Sequence, residues 1–120
     1  MSEKVWIKDG YLAVEVYEPE VRKADAILVH GYTGSKEDFS LIGPLLAEQG
    51  YRVVTSDNRG QHESAHSNDA ENYKIAALSN DQVELAKHFG LERPHLFGHS
   101  FGGLVAQRAA VEFPEYWSSL

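Results

Sequence analysis

The chain has 120 residues, 42% of them hydrophobic and 24% charged, with 18 acidic against 11 basic side chains and a formal charge of −7. That length fits one domain able to bury roughly two-thirds of its unfolded surface, and the acidic balance supplies no basic field for nucleic acid or for an anionic membrane surface. Cysteine is absent, which excludes disulfides and thiolate metal sites; with no signal-like N-terminus and no membrane-length apolar run, a soluble cytoplasmic protein is expected.

The first segment alternates. Val5 and Ile7, then Leu12, Val14 and Val16, fall at period two around the turn pair Asp9-Gly10, and predict an antiparallel hairpin over about 4–8 and 11–17. After a charged connection, Ala26-Ile27-Leu28-Val29 is a short unbroken apolar run, as expected of a strand buried on both faces. It runs into His30-Gly31-Tyr32-Thr33-Gly34-Ser35. Phe39, Leu41, Ile42, Leu45, Leu46 and Ala47 then follow at helical spacing, closed by Gly50.

A second strand is predicted over Arg52–Ser56, followed by a long polar loop over 57–72, the kind that carries function in compact domains. A helix is expected from about Lys74 to Phe89, then a third strand at His95-Leu96-Phe97. A last helix runs to Phe113, where Pro114 stops it. The class is α/β: an N-terminal hairpin followed by a parallel βαβαβα core in a single domain. In such sheets ligands bind beyond the carboxyl ends of the strands, so the loops after Val29, Ser56 and Phe97 should share the working edge.

Gly98-His99-Ser100-Phe101-Gly102 has the form G-x-S-x-G between a predicted strand and a predicted helix. In that context the serine occupies a sharp, strained turn, with room only for small residues two positions before and after it. The helix N-terminus then faces the place where an oxyanion would form. Phe101 supplies one backbone N–H, and the N–H of Tyr32, after His30-Gly31, is the candidate second donor. The bland reading is a serine in a glycine-rich turn that only packs closely.

Together with Asp57-Asn58-Arg59-Gly60-Gln61-His62-Glu63-Ser64, these motifs resemble the α/β-hydrolase fold superfamily, most closely its branch of small esterases, lactonases, aminopeptidases and C–C-bond hydrolases. The resemblance implies Ser100 as nucleophile, Tyr32 and Phe101 as oxyanion donors, and His30, Gly31, Gly98, His99 and Gly102 as site-loop residues. Dehalogenase and epoxide hydrolase relatives carry Asp at the position of Ser100. It implies mainly structural roles for Asp57 and Arg59. His62 stands where the family pattern has glycine, which predicts a backbone forced into a glycine-type conformation.

A serine hydroxyl needs a base, and the base needs a group to orient it. The family order puts Asp or Glu and then His after the serine, yet the 20 residues that follow Ser100 contain neither His nor Asp. His62 and His66 are the upstream histidines with reach, and both read as solvated loop residues. The expectation is therefore the N-terminal half of a longer hydrolase, an incomplete sheet lacking lid and C-terminal strands. Such a chain is nearly inactive alone and completed by its missing half, or associates through the open edge of strand 95–97, with Trp117 uncovered. The expected substrate is a small ester, amide, lactone or activated C–C compound, with no metal or organic cofactor. The competing reading is a non-catalytic binding or assembly module with a vestigial elbow; proton abstraction or elimination on the same residues is a third.

Overall fold

The computed structural model describes residues 2–120. Five strands form one sheet: β1 (Glu3–Ile7), β2 (Gly10–Tyr17), β3 (Ala24–Val29), β4 (Tyr51–Ser56) and β5 (His95–Gly98), in the spatial order β1-β2-β4-β3-β5. The helices are α1 (Ile42–Glu48), α2 (Ile75–His88) and α3 (Phe101–Glu112), with short 3₁₀ turns at Lys36–Phe39, Ala70–Tyr73 and Pro114–Tyr116.

The hairpin forms, but its turn is Lys8-Asp9 and not Asp9-Gly10: β1 ends at Ile7, which pairs with Gly10 as the first residue of β2. Asp9 takes the left-handed conformation that a tight turn requires (φ 63°), and Val5 sits opposite Leu12 with both buried. On the outer face Trp6 meets Tyr11 edge to face at 5.2 Å, and the Lys4 ammonium lies 4.6 Å above the Tyr11 ring. β2 then pairs antiparallel with β4, whereas β3 pairs parallel with both β4 and β5.

Alternate residues of β3 feed two cores. Ile27 and Val29 join Val54, Leu96 and the apolar sides of α2 and α3, while Ala26 and Leu28 join Val53 and Phe39 on the α1 side. Burial on both faces is what an unbroken apolar strand implies. The register places Val29 opposite Ser56 on one side and Gly98 on the other, so three strand ends lie abreast. The loops after them share one edge.

Two further sequence expectations change. The helical spacing from Phe39 onward is not one helix: Ser35 caps a 3₁₀ turn ending at Phe39, and α1 starts only at Ile42, with Pro44 tolerated in its first turn. Strand 95–97 is covered on one face only. Leu96 is buried, but Phe97 is 51% exposed.

Trp117 is not uncovered. It is 4% exposed, its indole N–H donates to the Ala109 carbonyl at 3.1 Å, and the chain beyond it turns along β5. There the Ser118 N–H donates to Pro94 O (3.0 Å), the Leu96 N–H donates to Ser119 O (2.9 Å), and His95 and Ser119 form a parallel bridge. Trp117 was expected outside because its nearest cover, α3, lies directly upstream and is reached only after Pro114 reverses the chain.

Candidate active site

Between β5 and α3 the chain makes a turn that only certain residues can make. Ser100 sits at φ 54°, ψ −120°, a region almost reserved for glycine and costly for a serine. The steric frame explains why the flanking positions are glycines. A Cβ on Gly98 would strike the carbonyl of Gly102, and a Cβ on Gly102 would strike the carbonyls of Val29 and His30. The elbow is tied down by the His99 N–H donating to Val29 O (3.1 Å), and by the Gly102 and Gly103 N–H groups donating to His99 O (2.9 Å) and Ser100 O (2.8 Å). Ser100 is solvent-exposed, and its hydroxyl makes no capping bond to α3. Among the described residues the hydroxyl has no hydrogen-bond partner.

The loop after β3 lies against this turn. A Cβ on Gly31 would be 3.5 Å from the Ser100 Cβ and 3.3 Å from His99 Nδ1, so the backbone at Gly31 approaches the serine as closely as a side chain allows. The rings of Tyr32 and Phe101 meet edge to face at 5.8 Å, which puts the two residues proposed as donors side by side. His99 is exposed beside an apolar hollow floored by Leu28, Phe39 and Phe97.

His30 is fully buried and its ring is committed on both nitrogens. Nδ1 lies 2.6 Å from the Gly31 carbonyl, and Nε2 lies 2.9 Å from the Asn58 backbone N–H. A carbonyl needs a donor and an N–H needs an acceptor, so the bonding fixes the neutral tautomer with its proton on Nδ1. The Asn58 side-chain amide returns to His30 O at 3.3 Å, while its Oδ1 is buried without a partner among the described residues. Asn58 carried no signal in the sequence beyond its place in the loop motif.

The long loop proves to be a hydrogen-bonded frame. Asp57 accepts from the Lys36 backbone N–H (2.8 Å), the Lys36 ammonium (3.0 Å) and the Glu63 N–H (3.1 Å). Ser64 donates to Asp57 O at 2.6 Å and accepts from the Ala13 N–H at 2.9 Å. Arg59 forks onto Asp81 through two bonds, 2.8 and 3.2 Å, and also donates to the carbonyls of Lys8 and Asp9. Asp57 and Arg59 therefore act as struts. His62 takes φ 46°, the glycine-type conformation expected at its place, and its exposed ring lies 3.6 Å from Glu37.

Lys36, which the sequence analysis did not single out, is 1% exposed and bonded to Asp57, Glu63 and Glu37. Burial works against its charge, but the bonds from Glu63 and Asp57 outweigh it and hold the ammonium above the usual lysine value. Among the described residues, Glu37, Asp57 and His62 bring three possible metal-ligand atoms within 4.8 Å of one another. The Lys36 ammonium already supplies a cation to two of them. Burial pushes the Asp81 carboxyl up to about 6 against the pull of Arg59, and the bond to Asp81 raises Arg59 in turn.

A family model described as the alpha/beta hydrolase fold matches residues 27–120. The chain belongs to the alpha/beta hydrolase fold family. Within that family it is 37% identical over 97 residues to a fluoroacetate dehalogenase from Burkholderia, covering 78% of this chain and 32% of that protein. It is 39% identical over 90 residues to an sn-1-specific diacylglycerol lipase from Mus musculus, covering 74% of this chain and 28% of the lipase. The crystal structure of epoxide hydrolase A from Mycobacterium thermoresistibile superposes with a TM-score of 0.91 at 25% identity, over 98% of this chain and 37% of that one. The chain thus spans about a third of the length of the alpha/beta hydrolases it matches, and the relatives are hydrolases of several chemistries.

Proposed function

We propose that Ser100 is the nucleophile of a serine hydrolase acting on small esters, amides, lactones or activated C–C compounds through an acyl-enzyme. The observation that carries this is the strained φ 54°, ψ −120° backbone of a serine whose hydroxyl is exposed and uncommitted at the start of α3, beside Gly31. Strain of this kind costs roughly 1–3 kcal/mol and persists where the surroundings enforce it.

In the proposed reaction Ser100 Oγ attacks the substrate carbonyl carbon while a histidine removes its proton. The oxyanion is received by the N–H groups of Tyr32 and Phe101, each such donor supplying roughly a hundredfold or more in rate. Collapse expels the leaving group, protonated by the same histidine, and water then repeats the sequence on the acyl-enzyme. The histidine and its acidic partner come from outside these 120 residues. This follows the family order, in which the acid and the histidine come after the serine; within the chain, His30 is buried with both nitrogens engaged and His62 lies against Glu37.

The dehalogenase and epoxide hydrolase relatives invite a different chemistry, which a serine does not support. Attack by an alkoxide on a saturated carbon gives an ether. An ether has no carbonyl for water to attack, so turnover would stop after one event. Acyl transfer leaves an ester that water can open.

The test is labelling with a fluorophosphonate probe. The complete protein should label at one site, and Ser100→Ala should abolish it; residues 1–120 alone should label far more slowly, for lack of a base. Equal labelling of Ser100→Ala would refute the assignment. An inert complete protein would point instead to a binding module with a vestigial elbow.

A further inference from the structure

His30 is placed where it can set the direction of an amide that it does not itself present to a substrate. Its Nδ1–H donates to the Gly31 carbonyl at 2.6 Å, and the Gly34 N–H donates to the same oxygen at 3.1 Å. The Gly31 carbonyl and the Tyr32 N–H belong to one peptide unit, and no cis peptide occurs among the described residues. In a trans unit these two groups point in opposite directions. Pulling the carbonyl toward the buried imidazole therefore turns the Tyr32 N–H away from it, to the exposed side where Tyr32 meets Phe101.

The ring in turn cannot rotate or change tautomer freely. Nε2 accepts from the Asn58 N–H at 2.9 Å, and the Asn58 side chain holds His30 O at 3.3 Å, so the end of β4 fixes the imidazole from behind. From this geometry we infer that His30 is a positioning residue, the Nδ1–H of whose neutral imidazole aims the Tyr32 amide at the developing oxyanion. Asn58 is the anchor that holds the ring in that tautomer. The inference rests on the serine-hydrolase reading above and adds to it the reason a histidine, and not merely a small turn residue, precedes Gly31.

Two substitutions separate the two nitrogens. In His30→Asn the side-chain amide nitrogen takes the place of Nδ1 and keeps the donor to Gly31, but loses the acceptor for Asn58. In His30→Gln the amide oxygen takes the place of Nε2 and keeps the acceptor, but loses the donor. The readout is the second-order rate of fluorophosphonate labelling of the complete protein, normalised to folded protein by circular dichroism, with the melting temperature of each variant measured alongside.

The expected result is labelling ten- to a hundredfold slower in His30→Gln and within about threefold of the parent in His30→Asn, because donor geometry, and not burial of the ring, governs the rate. Labelling within threefold of the parent in both variants would overturn the inference. So would a slower rate in His30→Asn than in His30→Gln, or losses that follow the melting temperatures alone. His30→Asn slowed more than tenfold while folded decides against it even if His30→Gln does not fold. Failure of the underlying reading looks different: Ser100→Ala would then label as fast as the parent.

Discussion

At Ser100 one backbone conformation serves the proposed chemistry at a cost in stability. A serine at φ 54°, ψ −120° is held there by glycines that let α3 close over β5 and by the backbone bonds that pin the elbow. Removing the hydroxyl does not relieve that strain, but removing Cβ does. Ser100→Gly should therefore be more stable than Ser100→Ala by about 1 kcal/mol, since glycine escapes the strain and gives back part of the gain as unfolded-chain entropy. Urea denaturation of the two variants checks this, and equal midpoints would show that the turn is not strained. This part of the site was legible in the sequence because the geometry admits so few residue types. The His30–Asn58 clamp was not, because its partners are 28 residues apart and bond through backbone groups that no side-chain pattern records.

Among the elements, the strands and the helices α2 and α3 followed from periodicity, since alternation and unbroken apolar runs are set by which faces are covered, whereas the spacing from Phe39 hid the break before α1. The loop over 57–66 was harder. The resemblance gave Asp57 and Arg59 structural roles but not their partners: Asp57, Arg59 and Ser64 are buried and each reaches a different element. The Arg59–Asp81 pair, which ties this loop to α2, gives it a pH signature. Asp81 titrates near 6 in the folded protein and near 3.9 when unfolded, so the folded state holds the proton more tightly. Its contribution to stability is complete below about pH 4 and is lost as pH rises through about 6, by up to roughly 1.4 kcal/mol per pH unit. The stability difference between the parent and Asp81→Asn, measured in urea from pH 4 to 7, should fall across that window and level off above it. A difference that rises with pH would show that Arg59 dominates.

Across the whole molecule the two faces of the sheet differ. The α2–α3 face is a closed core, whereas on the α1 face Leu41, Ile42, Leu45 and Phe97 are substantially exposed. The start of the β5 edge is already engaged by Ser118 and Ser119, whereas this face leaves four large apolar side chains open. Patches of this kind drive association. Residues 1–120 alone should show concentration-dependent elution in size-exclusion chromatography, and Leu45→Glu, at an exposed position, should shift it toward the monomer; an unchanged profile would place the contact elsewhere. The sequence showed these residues as apolar but not as open, because helical spacing reports which side of a helix is greasy and not whether anything lies against it.

The close seat of Gly102 on the last two carbonyls of β3 has a mechanical consequence. The elbow and the neighbouring loop are bolted to the same strand end, so a displacement of that end should move both together. On the proposed serine-hydrolase reading, the spacing between nucleophile and oxyanion donors is thereby set by one rigid joint and not by the walls around it.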